Sequence, residues 1–260
     1  MKLHTGQLSG RNVRLTLNWL GLRRQQKVFA VGFNKSGTTS LHALFETLGL
    51  VSHHGTRWRD GTDMTLLRSH DCFSDDVPTD LAKLDRRFPG SKFILQVREL
   101  DTWVYSRLAH IERGKRSAAY RTHAFWDTTA FSVESWITHR NAYHLFVLSY
   151  FARRPSDLLV VNFIRDPDAA LKICDFLEYA AVPTKPVKNA NPDKTYPPAH
   201  QKLLQKCSAD LGISAADLRY DILCSSLLRA EDAAYPVDTS MLAVAGASPS
   251  LEPTKFKYAG

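Results

Sequence analysis

The sequence predicts an α/β fold: a single domain with a central parallel sheet flanked by helices. Three observations predict it. Three runs rich in β-branched and aromatic residues (Lys27 to Gly32, Lys92 to Val97, Asp157 to Phe163) read as buried strands. A helical pattern follows each run, and parallel strands need such crossovers. The composition, 44% hydrophobic and 23% charged over 260 residues, is that of a globular chain. It excludes a long disordered protein, and 13 Gly and 4 Cys exclude collagen-like and disulfide-scaffold classes.

The elements follow in order. Residues 1–26 form a basic arm: Arg11, Arg14, Arg23 and Arg24 break every apolar stretch there, and the first acidic residue is Glu46. The globular domain is expected over 27–230. After the first strand, Leu41, Leu44, Phe45 and Leu48 make a helical stripe that Gly49 stops. Residues 50–70 read as polar and irregular, and a helix is expected near 79–88. The Pro89-Gly90 turn introduces the second strand, and Asp101 is expected to cap a helix carrying Val104, Leu108 and Ile111 and ending near Gly114. A long helix is predicted from Val133 to Arg153, then the third strand. Asp166-Pro167 is expected to open the next helix, which carries Ala170, Leu171, Cys174 and Leu177. Five prolines between Val182 and Pro198 predict a loop, and two amphipathic helices are expected at 199–210 and 214–229. Residues 231–260 have weak periodicity and read as a tail ordered in part.

No stretch reaches the length of a membrane span. Tyr143 to Ala152 comes nearest and is interrupted by His144, so it reads as a buried helix. Cys72, Cys174, Cys207 and Cys224 form no CxxC pair, which fits reduced thiols in a cytoplasmic protein. The net charge of +8 favours an anionic partner.

Residues 32–40 read Gly-Phe-Asn-Lys-Ser-Gly-Thr-Thr-Ser between a strand and a helix. Gly32 and Gly37 have the Walker A spacing and Thr39 fills its Ser/Thr position, so the expected fold is P-loop NTPase-like. The usual lysine position holds Thr38, and a lysine stands three residues earlier at Lys35. The phosphate cradle survives this change: loop and helix N-terminal N–H groups point at an anion, and Ser36, Thr38, Thr39 and Ser40 add hydroxyls. A magnesium-dependent NTPase becomes the less favoured reading.

The string KSGTTS at 35–40 resembles the 5′-phosphosulfate loop of sulfotransferases that use 3′-phosphoadenosine-5′-phosphosulfate (PAPS). A second segment, FPGSKFILQVRELDTWVYS, resembles the same family, with Arg98 at a strand end and Ser106 eight residues on. A third, LLVVNFIRDPDAALKICDFLEY, is similar to its later βα unit, so the resemblance covers about residues 27–180. It implies a metal-free transfer of a sulfuryl group from PAPS to a hydroxyl or amine by in-line displacement, leaving adenosine 3′,5′-bisphosphate. It also implies a 5′-phosphosulfate site at Asn34, Lys35, Ser36, Gly37, Thr38, Thr39 and Ser40, and a 3′-phosphate site at Arg98 and Ser106. Lys35 is the candidate donor to the bridging oxygen, where charge grows as the nucleotide leaves.

An acceptor hydroxyl also needs a general base. The resemblance implies one either just after the loop helix, where His53 and His54 stand, or some twenty residues before Arg98, where Asp75 and Asp76 stand. Adjacent carboxylates raise one another's pKa, which suits a base. The order of candidates is Asp76, Asp75, then His53 and His54. Each also has a structural reading, as a helix cap or a solvated turn.

The remaining histidines show no metal-site spacing; His42 and Glu46 share a helix face as an ordinary pair. Trp58, Trp103, Trp126 and Trp136 read first as core. Lys185 and Lys188 in the Pro-rich loop are candidates to close over the nucleotide, as late loops of the family do. The acceptor, a small molecule or glycan, falls to loops 53–80 and 113–132, where His123, Phe125, Trp126 and Phe131 give a partly aromatic character. Two other function classes compete: a P-loop kinase or NTPase, and a basic nucleic-acid-binding protein. Thr38 argues against the first. The lack of zinc-finger spacing, an RNP-like string or a dense Lys/Arg run argues against the second.

Overall fold

The computed structural model describes residues 26–115, 128–180, 183–188 and 195–228. The strands are β1 (Val28–Ala30), β2 (Ser52–His54), β3 (Cys72–Ser74), β4 (Lys92–Gln96) and β5 (Leu158–Val161). The helices are α1 (Thr38–Thr47), α2 (Met64–Ser69), α3 (Leu81–Arg87), α4 (Leu100–Lys115), α5 (Ala130–Phe151), α6 (Ala169–Phe176) and α7 (Pro198–Asp210). The strands form one parallel sheet in the order β2-β3-β1-β4-β5, flanked by helices, so the α/β expectation holds. No described helix is long and apolar enough to cross a membrane.

Chain contacts divide the protein into two compact units: one of Met1–Gln96, Asp157–Leu159 and Pro167–Asn189, the other of Val97–Ser156, Val160–Asp166 and Ala190–Gly260. In the first, register builds the core. Phe29 of β1 lies opposite Phe73 of β3 and Phe93 of β4. Their rings stack at centroid distances of 5.2 and 5.5 Å, and Trp58 closes the cluster 5.9 Å from Phe29. Such cross-strand aromatic pairs stabilise a sheet beyond the area they bury.

In the second unit, α4 buries Trp103, Val104, Leu108 and Ile111, and α5 buries Val133, Ile137, Val147, Leu148 and Phe151. α5 has no single apolar stripe, because it also buries Arg140, Asn141 and His144 against the irregular segment Tyr220–Cys224. Those side chains satisfy backbone groups that no strand partner reaches.

Several boundaries differ from expectation. β2 and α2 replace part of the stretch expected to be irregular over 50–70, and β3 follows just after it; at three residues each, with sequences SHH and CFS, the two strands are too short to show a period of two. Asp101 lies inside the first turn of α4, where its carboxylate accepts from the Thr102 N–H at 2.5 Å. α6 starts at Ala169 after Asp168, not at Asp166-Pro167. The helix expected over 214–229 is absent through residue 228: this stretch has only single 3-10 turns at Asp217–Arg219 and Ser225–Leu227 around the buried Tyr220–Cys224. The arm before residue 26, the tail after 228, and His123, Phe125 and Trp126 lie outside the described residues.

Candidate functional site

Two constellations of polar and cationic groups stand out, each within its own unit. The first is the loop between β1 and α1. Gly32 sits against the end of β4, where the Gln96 side chain grips its backbone in both directions: Gly32 N–H donates to Oε1 and Nε2 donates to the Gly32 carbonyl, each at 3.0 Å. A Cβ on Gly32 would lie 2.1 Å from the Gln96 carbonyl oxygen, so only glycine fits. The loop then tightens. The Ser36 hydroxyl donates to the Phe33 carbonyl at 2.5 Å, and Lys35 takes the left-handed region at φ 67.

For a lysine that conformation is strained, at a cost of roughly 1–3 kcal/mol. Gly37, at φ 95, occupies the N-cap of α1 and offers no side-chain cap, and the first turn holds no acidic residue. The first N–H groups of a helix have no intrahelical acceptor. The turn therefore ends in backbone donors at the positive end of the helix. Asn34 and Lys35 are half-buried; Ser36, Thr38 and Ser40 are buried. The Ser40 hydroxyl accepts from the backbone N–H of Lys188 at 2.9 Å, which pins segment 183–188 to α1.

The four base candidates separate in space. Alternation along β2 sends His53 and His54 to opposite faces. His54 turns to the loop, with Nε2 3.3 Å from the Thr38 hydroxyl and 3.4 Å from that of Thr39. Its Nδ1 lies 4.0 Å from Asp75 Oδ2, an ion-pair distance rather than a hydrogen bond.

His53 meets the His70 ring edge-on at 5.5 Å, and its Nε2 is buried without a hydrogen-bond partner among the described residues. Burial first, then the neighbouring His70, Arg57, His42 and His54, bring its pKa down to about 4, so it is neutral at pH 7. Asp75 and Asp76 follow β3 in consecutive left-handed conformations, φ 91 and 75. Burial raises the Asp75 carboxyl above its usual range, with His54, Lys35 and Arg59 opposing and Asp76 reinforcing. Asp76 pairs with Arg59 at 3.4 Å, and Arg59 Nε is itself fixed on the Val77 carbonyl at 2.5 Å.

The second constellation lies where β4 ends. Arg98 Nε donates to the Thr102 hydroxyl at 3.0 Å, and the Tyr196 phenol also hydrogen-bonds Arg98. Burial lowers the Arg98 pKa against the pull of Tyr196, Asp101 and Glu99, and a guanidinium stays charged through such a shift. Thr102 and Ser106 are four residues apart on α4 and so share a face. Arg98, one further step of four back, lays its side chain toward that face. Tyr196 stacks on Tyr105 at 4.2 Å beside it.

Sequence reasoning missed Gln96, Thr102 and Tyr196. Gln96, a lone amide in the apolar run KFILQV, was visible as an oddity, and Thr102 as the midpoint between Arg98 and Ser106. Tyr196 carried no local signal. Trp58 and Trp103 are core residues, Trp136 packs on Arg107 at 4.6 Å, and Phe131 is 78% exposed. All four cysteines are buried free thiols. Among the described residues no three His, Cys, Asp or Glu side chains converge as a metal site. No protein-family model matches the chain, and no curated protein matches it.

Proposed function

We propose that the chain is a sulfotransferase that moves a sulfuryl group from PAPS to a hydroxyl or amine acceptor. One observation carries the reading: the strained Lys35–Gly37 turn runs into a helix with no side-chain cap, and its cation stands inside the turn rather than at position 38. Thr38, where a Walker lysine would stand, directs its hydroxyl to His54 instead. Each constellation by itself suits one end of the donor. The loop takes the 5′-phosphosulfate, and Arg98 with Thr102 and Ser106 takes the 3′-phosphate.

PAPS supplies an activated sulfuryl group; the protein's part is positioning and charge stabilisation, as in phosphoryl transfer. A bond forms between the acceptor oxygen and sulfur while the bond from sulfur to the bridging oxygen breaks. The electron pair stays with the departing 5′-phosphate, and the acceptor proton goes to His54 Nε2. Lys35 stabilises the charge that grows on the bridging oxygen. Asp75 Oδ2 stands 4.0 Å from His54 Nδ1, on the side of the ring away from the loop hydroxyls. Support for His54 over Asp76 comes from the ion pair that occupies Asp76 and from the approach of His54 to the loop hydroxyls.

The test is thermal stabilisation of the purified protein by adenosine 3′,5′-bisphosphate against ATP with magnesium. At 100 times Kd the bisphosphate is expected to add about 2.7 kcal/mol, a rise in Tm of roughly 5–10 °C, while ATP adds less. Stabilisation by ATP with magnesium alone transfers the site to a kinase or NTPase. Labelled PAPS offered with alcohols, phenols, glycans and peptides then identifies the acceptor.

A further inference from the structure

We propose that Arg140 is a positioning residue for the Arg98 anion site, holding the Arg98 backbone so that its guanidinium stays over the Thr102–Ser106 face of α4. The inference rests on the reading of Arg98 as the 3′-phosphate ligand. α5 presents three buried polar side chains, Arg140, Asn141 and His144, to segment 220–224. Two of them bond that segment directly. Asn141 Oδ1 accepts from the Cys224 N–H at 2.6 Å and the Tyr220 hydroxyl at 3.2 Å, and His144 Nδ1 donates to the Ile222 carbonyl at 2.6 Å.

Arg140 does more. Its Nη2 donates to the Asp221 carbonyl at 2.5 Å and to the Arg98 carbonyl at 2.6 Å. Val97, Arg98 and Glu99 are the three-residue joint between β4 and α4. On one side the Val97 N–H is bonded to the Val161 carbonyl, and on the other the Leu100 N–H is bonded to the Tyr220 carbonyl. Arg140 fixes the peptide between those two anchors, which sets where the Arg98 side chain departs.

A neutral amide would suffice for a clamp, as Asn141 shows. Arg140 instead buries a cation, with only 1% of its surface exposed, between the Trp103 and Tyr220 rings at 5.4 and 5.7 Å. Its Nη1 has no hydrogen-bond partner among the described residues. An open buried donor on a charged group is costly, and clamping segment 220–224 does not require it. Charge placed directly behind the Arg98 carbonyl also raises the potential felt by a dianion on the Arg98 side chain.

The experiment measures, by calorimetry at pH 8, the affinity ratio between adenosine 3′,5′-bisphosphate and adenosine 5′-monophosphate. Arg140→Met is expected to lower the ratio at least fivefold with the monophosphate affinity unchanged, and Arg140→Lys to restore part of it. His144→Leu loosens the same clamp without touching Arg98; it is expected to lower Tm and keep the wild-type ratio. A folded Arg140→Met protein with the wild-type ratio, or an equal fall in His144→Leu, overturns the inference while Arg98→Ala still abolishes discrimination. A wild-type protein that binds both nucleotides equally, or an Arg98→Ala protein with an unchanged ratio, overturns the reading of Arg98 itself and the inference with it. Should neither Arg140 variant fold, Asp221→Asn carries the test: removing the carboxylate beside Arg140 leaves its charge less compensated and is expected to raise the ratio two- to threefold. An unchanged ratio there overturns the inference.

Discussion

The turn at Lys35–Gly37 and the helix face at Arg98–Ser106 are both suited to anions, yet they are built by opposite means. The turn relies on backbone: a left-handed lysine, a left-handed glycine, an uncapped helix end, and a neighbouring strand so close that residue 32 has no room for a Cβ. The helix face relies on side chains: Arg98, Thr102 and Ser106 project from regular or nearly regular backbone, and Arg140 is packed behind them. A backbone cradle is strained, and its geometry admits few residue types. A side-chain row carries little strain and is adjustable, but it is only as precise as the packing that supports it.

Four measurements break or sharpen that contrast. The largest effect belongs to the turn: Lys35→Ala should lower turnover by about 10²–10³-fold, or 2.7–4 kcal/mol, the loss typical of one oxyanion donor, with nucleotide affinity changed far less. A loss seen only in affinity would remove Lys35 from the chemistry. Next, Gly32→Ala should destabilise the fold by about 3 kcal/mol, since the added carbon meets backbone that cannot move aside. Urea unfolding with a lowered midpoint and an unchanged slope is the expected record. A neutral result would mean that the turn tolerates displacement from β4.

Arg98→Ala acts on the other region and should leave stability nearly intact. It should cost about 1.5–3 kcal/mol of nucleotide affinity, confined to ligands that carry a 3′-phosphate. If it weakens both nucleotides alike, the helix face is no more selective than the turn.

The smallest effect is at Asp75, and its sign follows from burial. The folded-state pKa is raised, so the carboxylate form is disfavoured in the native state and stability falls as pH rises above the usual value of 3.8 through the folded pKa. Asp75→Asn should therefore stabilise the protein at pH 7 and make no difference near pH 3, while slowing transfer by removing the charge beside His54. A loss of stability at pH 7 would show that its partners outweigh its burial.

The sheet order and the loop differ in how far they were legible. The spacing of Gly32, Lys35, Gly37 and Thr39 announced a strand, a tight turn and a helix, because each position answers a local demand of the backbone. Arg98 and Ser106 were singled out from a strand end and the helix after it, but Thr102, midway between them on that helix, was missed although the helical period points to it. β2 and β3 were not legible. SHH and CFS satisfy no hydrophobic period, and they pair only because β1 offers a parallel edge and helices cover the faces. The segment after Ser214 reads as helical by its apolar spacing. It stays irregular because Arg140, Asn141 and His144 of α5 take its backbone groups first.

The four candidate bases show where local information stops. By sequence, His53 and His54 are alike and so are Asp75 and Asp76. In the fold, a strand that alternates faces sends one histidine to the loop and packs the other against His70, and Arg59, sixteen residues before Asp75, forms its ion pair with the second aspartate. The amino-acid order by itself determined the α/β class, the glycine-bounded turn between strand and helix, and the arginine just after the fourth strand, since each depends on neighbours within a few positions. Which histidine faces that turn, which carboxylate stands behind it, and which buried cation supports Arg98 were decided only by tertiary structure. Those choices rest on burial and on contacts between distant residues, which no local pattern encodes.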